Sequence, residues 1–287
     1  MPRALLTGAS CGIGLATARR LTEGGWEVWG TSRDRARLPD LPRFHAVEMD
    51  LTAPASIRAA YDGALTEAGA FDALINNAGD GVFGPLEHLP EEDVRRQFET
   101  LVFGPLALIR HVLPEMRARG AGTIVNVTSL AVRLPIPFMA PYNAAKSALS
   151  ALTATLALEL AGSGVRVVDL QPGDIATAFN DAMRRGENLR GYEHLSARTL
   201  DVLEREMAAA PPPALVAEAI ARALATPAPR VTVGGFFQMH LATLAARLVP
   251  QRAILWGIAR YYGLKSLRQP PTHAAPARTA AESASPE

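Results

Sequence analysis

The chain is short of several things, and each shortage excludes something. It has one cysteine, Cys11, among 287 residues. An internal disulfide is therefore ruled out, and a reducing compartment fits, so a cytoplasmic protein is expected. The formal net charge is +1, which offers no pull to nucleic acid or to a strongly acidic partner. No uncharged apolar run reaches membrane-spanning length. Met1-Pro2-Arg3 leads directly into an apolar strand pattern, without the apolar stretch and cleavage site of a secretory leader. The scarcity of lysine is the most informative. Of 29 Lys and Arg side chains only two, Lys146 and Lys265, are lysines. A lysine kept against such a bias is a candidate for work that a planar guanidinium cannot do.

What is present suits one large domain: 48% of residues are hydrophobic and 20% charged. Strand patterns at Arg3–Thr7, Glu27–Thr31, Phe44–Met49, Ala73–Ile75, Thr123–Val127 and Val165–Leu170 alternate with helical ones at Ile13–Glu23, Ser56–Ala68, Glu91–Arg119 and Tyr142–Ala161. Pro105 and Pro114 should bend or interrupt the third of these helices. The alternation predicts an α/β class, a doubly wound parallel sheet (Rossmann fold) with ligands at the strands' C-terminal edge. Another helix, Leu215–Ala225, and a short strand, Arg230–Val233, follow. The expected division is a catalytic domain over 1–235 with a substrate lid at about 176–212, an apolar and basic helical extension over 236–268, and a disordered tail over 269–287 rich in Pro, Ala, Ser and Thr. There is no internal repeat.

Thr7-Gly8-Ala9-Ser10-Cys11-Gly12-Ile13-Gly14 joins the first strand to the first helix. Gly8 permits a tight turn, Gly12 a close backbone approach to a pyrophosphate, and Gly14 close packing of helix on strand. The helix start offers free N–H groups to phosphate. Further along, Ser129 ends the fifth strand, and Tyr142 and Lys146 lie four residues apart, on one face of a helix. A carbonyl accepting hydride needs a proton. Free tyrosine, with a pKa of about 10, is a poor acid near neutrality. A neighbouring ammonium favours the phenolate, so Lys146 should lower the pKa of Tyr142, and Ser129 can hold the substrate oxygen.

The Thr-Gly-x-x-x-Gly-x-Gly turn, the Asn76-Asn77-Ala78-Gly79 segment after the fourth strand, and Ser129 with Tyr142-x-x-x-Lys146 together resemble the short-chain dehydrogenase/reductase family. The resemblance covers about residues 3–233. It implies catalytic roles for Ser129, Tyr142 and Lys146 in hydride transfer between a nicotinamide cofactor and a carbonyl/alcohol pair. It also implies a cofactor site built from Gly8, Ser10, Cys11, Gly12, Ile13, Gly14, Arg33, Asp50, Leu51, Asn77, Ala78 and Gly79. Tyr142, Lys146, Pro172, Gly173 and Thr177 complete that site. Asp50 would meet the adenine amino group, Lys146 the nicotinamide ribose and Thr177 the carboxamide. Where an NAD enzyme would carry an acid at the end of the second strand, the sequence reads Ser32-Arg33, with Arg35 and Arg37 close by. A guanidinium there can pair with a 2′-phosphate, so NADP is expected, with NAD kept as runner-up by Asp34. The family usually has an asparagine three residues before the glycine at 104, holding a water that relays protons from the lysine. Here that position is Leu101.

Phe179, Met183, Leu189, Tyr192 and Leu195 could wall the substrate site, with Phe236, Phe237, Met239, Trp256, Tyr261 and Tyr262 further on. They suggest a bulky hydrophobic ketone, aldehyde or alcohol. The stretch 236–264 has basic residues but no acidic ones. It could rest on an anionic membrane surface, on the enzyme body or on a second subunit. The family also implies a homodimer or homotetramer. Two other readings stay open: a non-catalytic dinucleotide-binding regulator, and an enzyme acting on an imine or an activated alkene.

Overall fold

A computed structural model of the chain describes residues 1–235 and 248–264. Residues 236–247 of the expected extension, including Phe236, Phe237 and Met239, its last residues 265–268, and all of the expected tail lie outside the described residues. The elements run β1 (Arg3–Leu6), α1 (Gly12–Glu23), β2 (Glu27–Ser32), β3 (Phe44–Glu48), α2 (Pro54–Ala68), β4 (Ala73–Asn76), β5 (Val82–Phe83) and α3 (Glu91–Phe98). Then follow α4 (Gly104–Arg119), β6 (Gly122–Val127), α5 (Ala140–Glu159), β7 (Val165–Pro172), α6 (Phe179–Ala182), β8 (Arg184–Arg185), α7 (Glu193–Ala209), α8 (Ala214–Ala225), β9 (Arg230–Val233) and α9 (Gln251–Tyr261).

Seven strands form one parallel sheet in the order β3-β2-β1-β4-β6-β7-β9. Alternation along each strand explains its two covered faces. Ala4, Leu6, Ala73, Ile75, Val125 and Val127 pack under α1 and α8, whereas Leu5, Leu74 and Ile124 pack under α2 and α4. The order reverses at β1, which pairs with both β2 and β4, and the crevice above that point is where a ligand fits. This is the Rossmann arrangement that the strand and helix order predicts. Val82–Phe83 and Arg184–Arg185 add a two-stranded parallel sheet that tethers the segment after β7. Two-residue strands leave too little periodicity to be read from sequence.

One expectation changes in detail. The helix 91–119 is interrupted, but the break precedes Pro105: residues Glu99–Phe103 wind as a π-helix, with the Gly104 N–H donating to the Glu99 carbonyl. Pro105 has no N–H to give the Leu101 carbonyl, so the α pattern cannot run through this point. Gly104 also passes tightly over Leu51, since a Cβ there would lie 2.9 Å from the Leu51 Cβ. Pro114 is accommodated inside α4.

Candidate active site

The first turn is locked to the fourth strand by Thr7. Its hydroxyl accepts from the backbone N–H groups of Asn77 and Ala78, both at 3.0 Å, and the Asn77 amide donates back to the carbonyls of Thr7 at 3.0 Å and Gly8 at 3.3 Å. Gly8 adopts φ +70°, and a Cβ there would lie 2.7 Å from the Ala78 Cα. Only glycine tolerates that turn in that space. A Cβ on Gly14 would fall onto the Gly8 carbonyl oxygen and lie 2.7 Å from the Asn77 amide nitrogen, so the start of α1 is drawn against the end of β1. The N-cap Cys11 makes no side-chain cap hydrogen bond, and the first N–H groups of α1 have no intrahelical partner. They open onto a cleft of about 1200 Å³. Thr7 had no role among the sequence expectations. A threonine before a glycine turn reads as strand end, and only the fold brings Asn77 to it.

The cleft gathers the residues singled out in the sequence. Gly8, Ser10, Cys11, Gly12, Ile13, Gly14, Arg33, Asp50, Leu51, Asn77, Ala78, Gly79, Pro172, Gly173 and Thr177 all line it, as do Ser129, Tyr142 and Lys146. Asp50 points one carboxylate oxygen at the Thr52 N–H and hydroxyl, at 2.9 and 2.8 Å. Asp34 also lines the cleft; its side chain accepts from the Ala36 N–H at 2.9 Å and caps the short 3-10 turn Arg35–Arg37. Arg33 and Arg37 line the cleft beside Ser32.

At the other end α5 opens with Pro141 in its first turn, and one face of it carries Tyr142 and Lys146, 9% and 5% exposed. Tyr142 shares a hydrogen bond with the Ser129 side chain, whose oxygen also accepts from the Ala131 N–H at 3.1 Å. The Lys146 ammonium donates to the Val127 carbonyl at 2.7 Å and lies 5.9 Å from the Tyr142 ring centroid. The expectation that Lys146 depresses Tyr142 is corrected here. Burial pushes the Tyr142 hydroxyl up, the Ser129 hydrogen bond opposes it, and Asp174 adds to the rise. Burial instead lowers Lys146 to about 8, against the pull of Asp80 and Asp169.

Leu101 is 1% exposed and stands beside this lysine. A Cβ built on Gly79 would lie 3.3 Å from the Leu101 Cδ2 and 3.8 Å from the Lys146 Nζ. Polar residues that the sequence did not single out sit on the same side. Asp80 pairs with Arg96 at 3.1 Å, and the fully buried Gln97 donates to the Asp80 side chain at 3.2 Å and accepts from the Val82 N–H at 3.0 Å.

The expected apolar wall is partly rebuilt. Phe179 closes over Tyr142, with ring centroids 5.6 Å apart, and Tyr261 and Tyr262 line the cleft. Met183 instead packs beneath Tyr142 in a buried cluster. Tyr192 stacks edge-on against His88 and Phe138 and donates to Glu87. Leu189, Leu195 and the 55% exposed Trp256 are not among the lining residues. Their places are taken by Leu203 and Met207 of α7 and by Ile254, Gly257 and Ile258 of α9.

Among the described residues no helix is long and apolar enough to cross a membrane, and no cluster of side chains could hold a metal ion.

Comparison with known proteins gives the family. A 3-ketodihydrosphingosine reductase of Bacteroides thetaiotaomicron is 33% identical over 267 residues, covering 91% of this chain and 98% of its own. A short chain dehydrogenase/reductase of Burkholderia phymatum solved with NAD superposes with a TM-score of 0.75 at 28% identity, covering 86% of this chain and 92% of that one. A short chain dehydrogenase of Burkholderia cenocepacia solved with NADP gives 0.65 at 28% identity, covering 87% and 98%. Residues 2–188 match the short chain dehydrogenase family, and the chain therefore belongs to the short-chain dehydrogenases/reductases, a family of oxidoreductases.

Proposed function

We propose that this protein is an NADP(H)-dependent oxidoreductase that interconverts a ketone or aldehyde and an alcohol on a bulky hydrophobic substrate. The observation that carries the proposal is the hydrogen-bonded Ser129–Tyr142 pair, with Lys146 one helical turn on, at one end of a cleft whose other end is the glycine turn. The fit to a dinucleotide rests on that turn: a side chain at Gly8 or Gly14 would strike Ala78 or Gly8, so the backbone stays bare where phosphates meet helix N–H groups. Gly8 to Gly14 would hold the pyrophosphate, Asp50 and Leu51 the adenine, Asn77 to Gly79 with Pro172 and Gly173 the nicotinamide side, Thr177 the carboxamide, and Lys146 the ribose hydroxyls. The preference for the 2′-phosphorylated form is supported by Ser32 in the acid's place and by Arg33 and Arg37 on the cleft wall; Asp34 shares that wall, but its carboxylate is engaged with the Ala36 N–H.

When bound, the cofactor supplies or accepts the hydride. The chain's own residues manage the proton. Tyr142, kept protonated by burial, is set to donate its hydroxyl proton to a carbonyl oxygen held by the Ser129 hydroxyl. Reduction is therefore the direction for which the site is prepared near neutral pH. The Lys146 ammonium adds positive charge below the tyrosine ring, which stabilises the phenolate left behind. Phe179, Leu203, Met207, Ile254 and Ile258 give the far end an apolar lining, and the relative that reduces 3-ketodihydrosphingosine makes a long-chain ketone the first substrate to try.

The outer surface suggests where the enzyme works. Phe103 and Leu158 are 51% and 78% exposed, as expected for helices that pair between subunits of a homo-oligomer. Trp256 of α9 is 55% exposed, with Arg252 and Arg260 on the same helix, a composition suited to peripheral contact with an anionic bilayer.

The test is to follow NADPH and NADH absorbance with a panel of ketones, aldehydes and imines that includes 3-ketodihydrosphingosine. Reduction of apolar ketones with lower KM for NADPH is expected. A clear NADH preference overturns the cofactor assignment, and turnover of imines alone overturns the substrate class.

A further inference from the structure

Asp169 is a buried charge with no part in the proposal above. It lies on β7 with its side chain 3% exposed. One oxygen accepts from the Thr128 hydroxyl at 2.5 Å; the other accepts from the Ser150 hydroxyl and the Gln171 amide, each at 2.7 Å, and from the Arg230 Nε at 3.2 Å. Four donors on two oxygens suit a carboxylate anion rather than a neutral acid. A buried anion of this kind is costly to keep as mere filling, because well-packed neutral residues would hold the same elements together at least as well.

The donors place it in relation to Lys146. Ser150 is one turn beyond Lys146 on α5. Thr128 follows Val127, whose carbonyl takes the Lys146 ammonium at 2.7 Å. Asp169 is thus fastened to both supports of the lysine: its helix, and the strand end on which its ammonium rests. Four other charged or titratable groups share this environment. Asp80 faces Lys146 from the loop after β4, tied to Arg96 of α3. Tyr142 lies on the same helix, and Asp174, after β7, acts on Tyr142. Leu101 closes another side with carbon.

We propose that Asp169 is a positioning residue for Lys146, holding the ammonium charged and seated on the Val127 carbonyl, and that Arg230 sets the strength of this hold by neutralising part of the Asp169 charge. Burial alone drives a lysine toward losing its proton, and a nearby anion opposes that. The lowering of Lys146 to about 8, with Asp80 and Asp169 as the opposing charges, agrees with this. Arg230 lies on β9, at the sheet's edge, with its side chain 43% exposed, so it can be changed without opening the core.

The sparse lysine content makes the test direct. With only Lys146 and Lys265 in the chain, selective 15N-lysine labelling yields two ammonium signals, and Lys265→Arg assigns them. Titration of the cofactor-free protein then reads Lys146 without any turnover, so the result stands whether or not the substrate proposal holds. Asp169→Asn keeps the shape and one acceptor oxygen but removes the charge, and the Lys146 midpoint should fall, on the order of one pH unit. Arg230→Gln should raise it. A role confined to holding strands together would lower thermal stability in both variants and leave the midpoint where it was. An unchanged midpoint in Arg230→Gln, or in a folded Asp169→Asn, overturns the proposal. If Asp169→Asn does not fold, the sign of the Arg230→Gln shift decides alone.

Discussion

The two ends of the cleft are built by different means. At the glycine turn the walls are backbone, pinned by Thr7, Asn77 and the N–H groups they exchange. Space there is so tight that a methyl group on Gly8 or Gly14 would collide. At the far end the walls are side chains: Phe179 over Tyr142, Leu203 and Met207 from α7, Ile254 and Ile258 from α9. They come from elements distant in sequence and make few polar contacts with one another. The difference suits the ligands proposed above. A dinucleotide has one shape and charged phosphates that backbone dipoles recognise, so its site can be rigid. An apolar substrate offers area rather than hydrogen bonds, and area can be matched by many side-chain sets.

Substitutions can break or sharpen this contrast. Tyr142→Phe should cost the largest factor, about 10²- to 10⁴-fold in turnover, while NADPH binding, followed by its fluorescence, stays near the parent value. Near-normal turnover would remove Tyr142 from its role. Arg33→Ala should act only at the rigid end. Losing a charge-assisted pair of about 1.5–3 kcal/mol lowers the NADPH-over-NADH preference by roughly 10- to 100-fold, read from the two KM values, with no change toward different ketones. Gly257→Leu should act only at the other end. Open space surrounds Gly257 beside the cleft, so the larger residue should raise KM for a bulky ketone about tenfold and leave a small one unchanged. An equal effect on both ketones, or any change in cofactor preference, would mean that the two ends are not separable.

Lys146 sits where the two ends meet, and its pH behaviour has a definite sign. Its pKa is lowered from 10.5 to about 8 by burial, so the folded protein binds fewer protons than the unfolded chain between those values. Holding the charge therefore destabilises the fold below about pH 8, and stability rises as pH climbs from there toward 10.5. Lys146→Met should lower turnover, by less than Tyr142→Phe does, yet stabilise the protein at pH 7 by up to about 3 kcal/mol, measured by denaturant unfolding. Reductive turnover of the parent should be full below about pH 8 and fall as the ammonium is lost. The smallest effect is expected from Leu101→Asn, a shift in the alkaline limb of that profile. Superimposable profiles would show that the Leu101 side chain has no bearing on proton exchange at Lys146.

Much of this was legible in the residues themselves. The seven long strands, the glycine turn, Asn77, Ser129 and the Tyr142–Lys146 spacing are local patterns, each written within a dozen residues. Backbone sites are the easiest to read, because they need glycine at fixed places. The substrate wall was the hardest. Tyr192 and Leu195 look as apolar as Leu203 and Met207, and only the path of the lid decides which face the cleft. Trp256 was expected at the site and lies 55% exposed, while its small neighbour Gly257 lines the cleft.

The sequence alone therefore determined the fold class, the phosphate turn and the residues able to carry the chemistry, because these depend on short-range periodicity and residue type. Tertiary structure decided the environment of those residues. It engaged the Asp34 carboxylate with the Ala36 N–H, replaced a helix by a π-turn at Leu101, and put Asp80 from a loop and Asp169 from a strand around Lys146, 66 and 23 residues away in the chain. It also raised Tyr142 where its spacing to Lys146 predicted the reverse. Burial and long-range charge depend on what the fold brings near, and that proximity is not encoded in the spacing of any one segment.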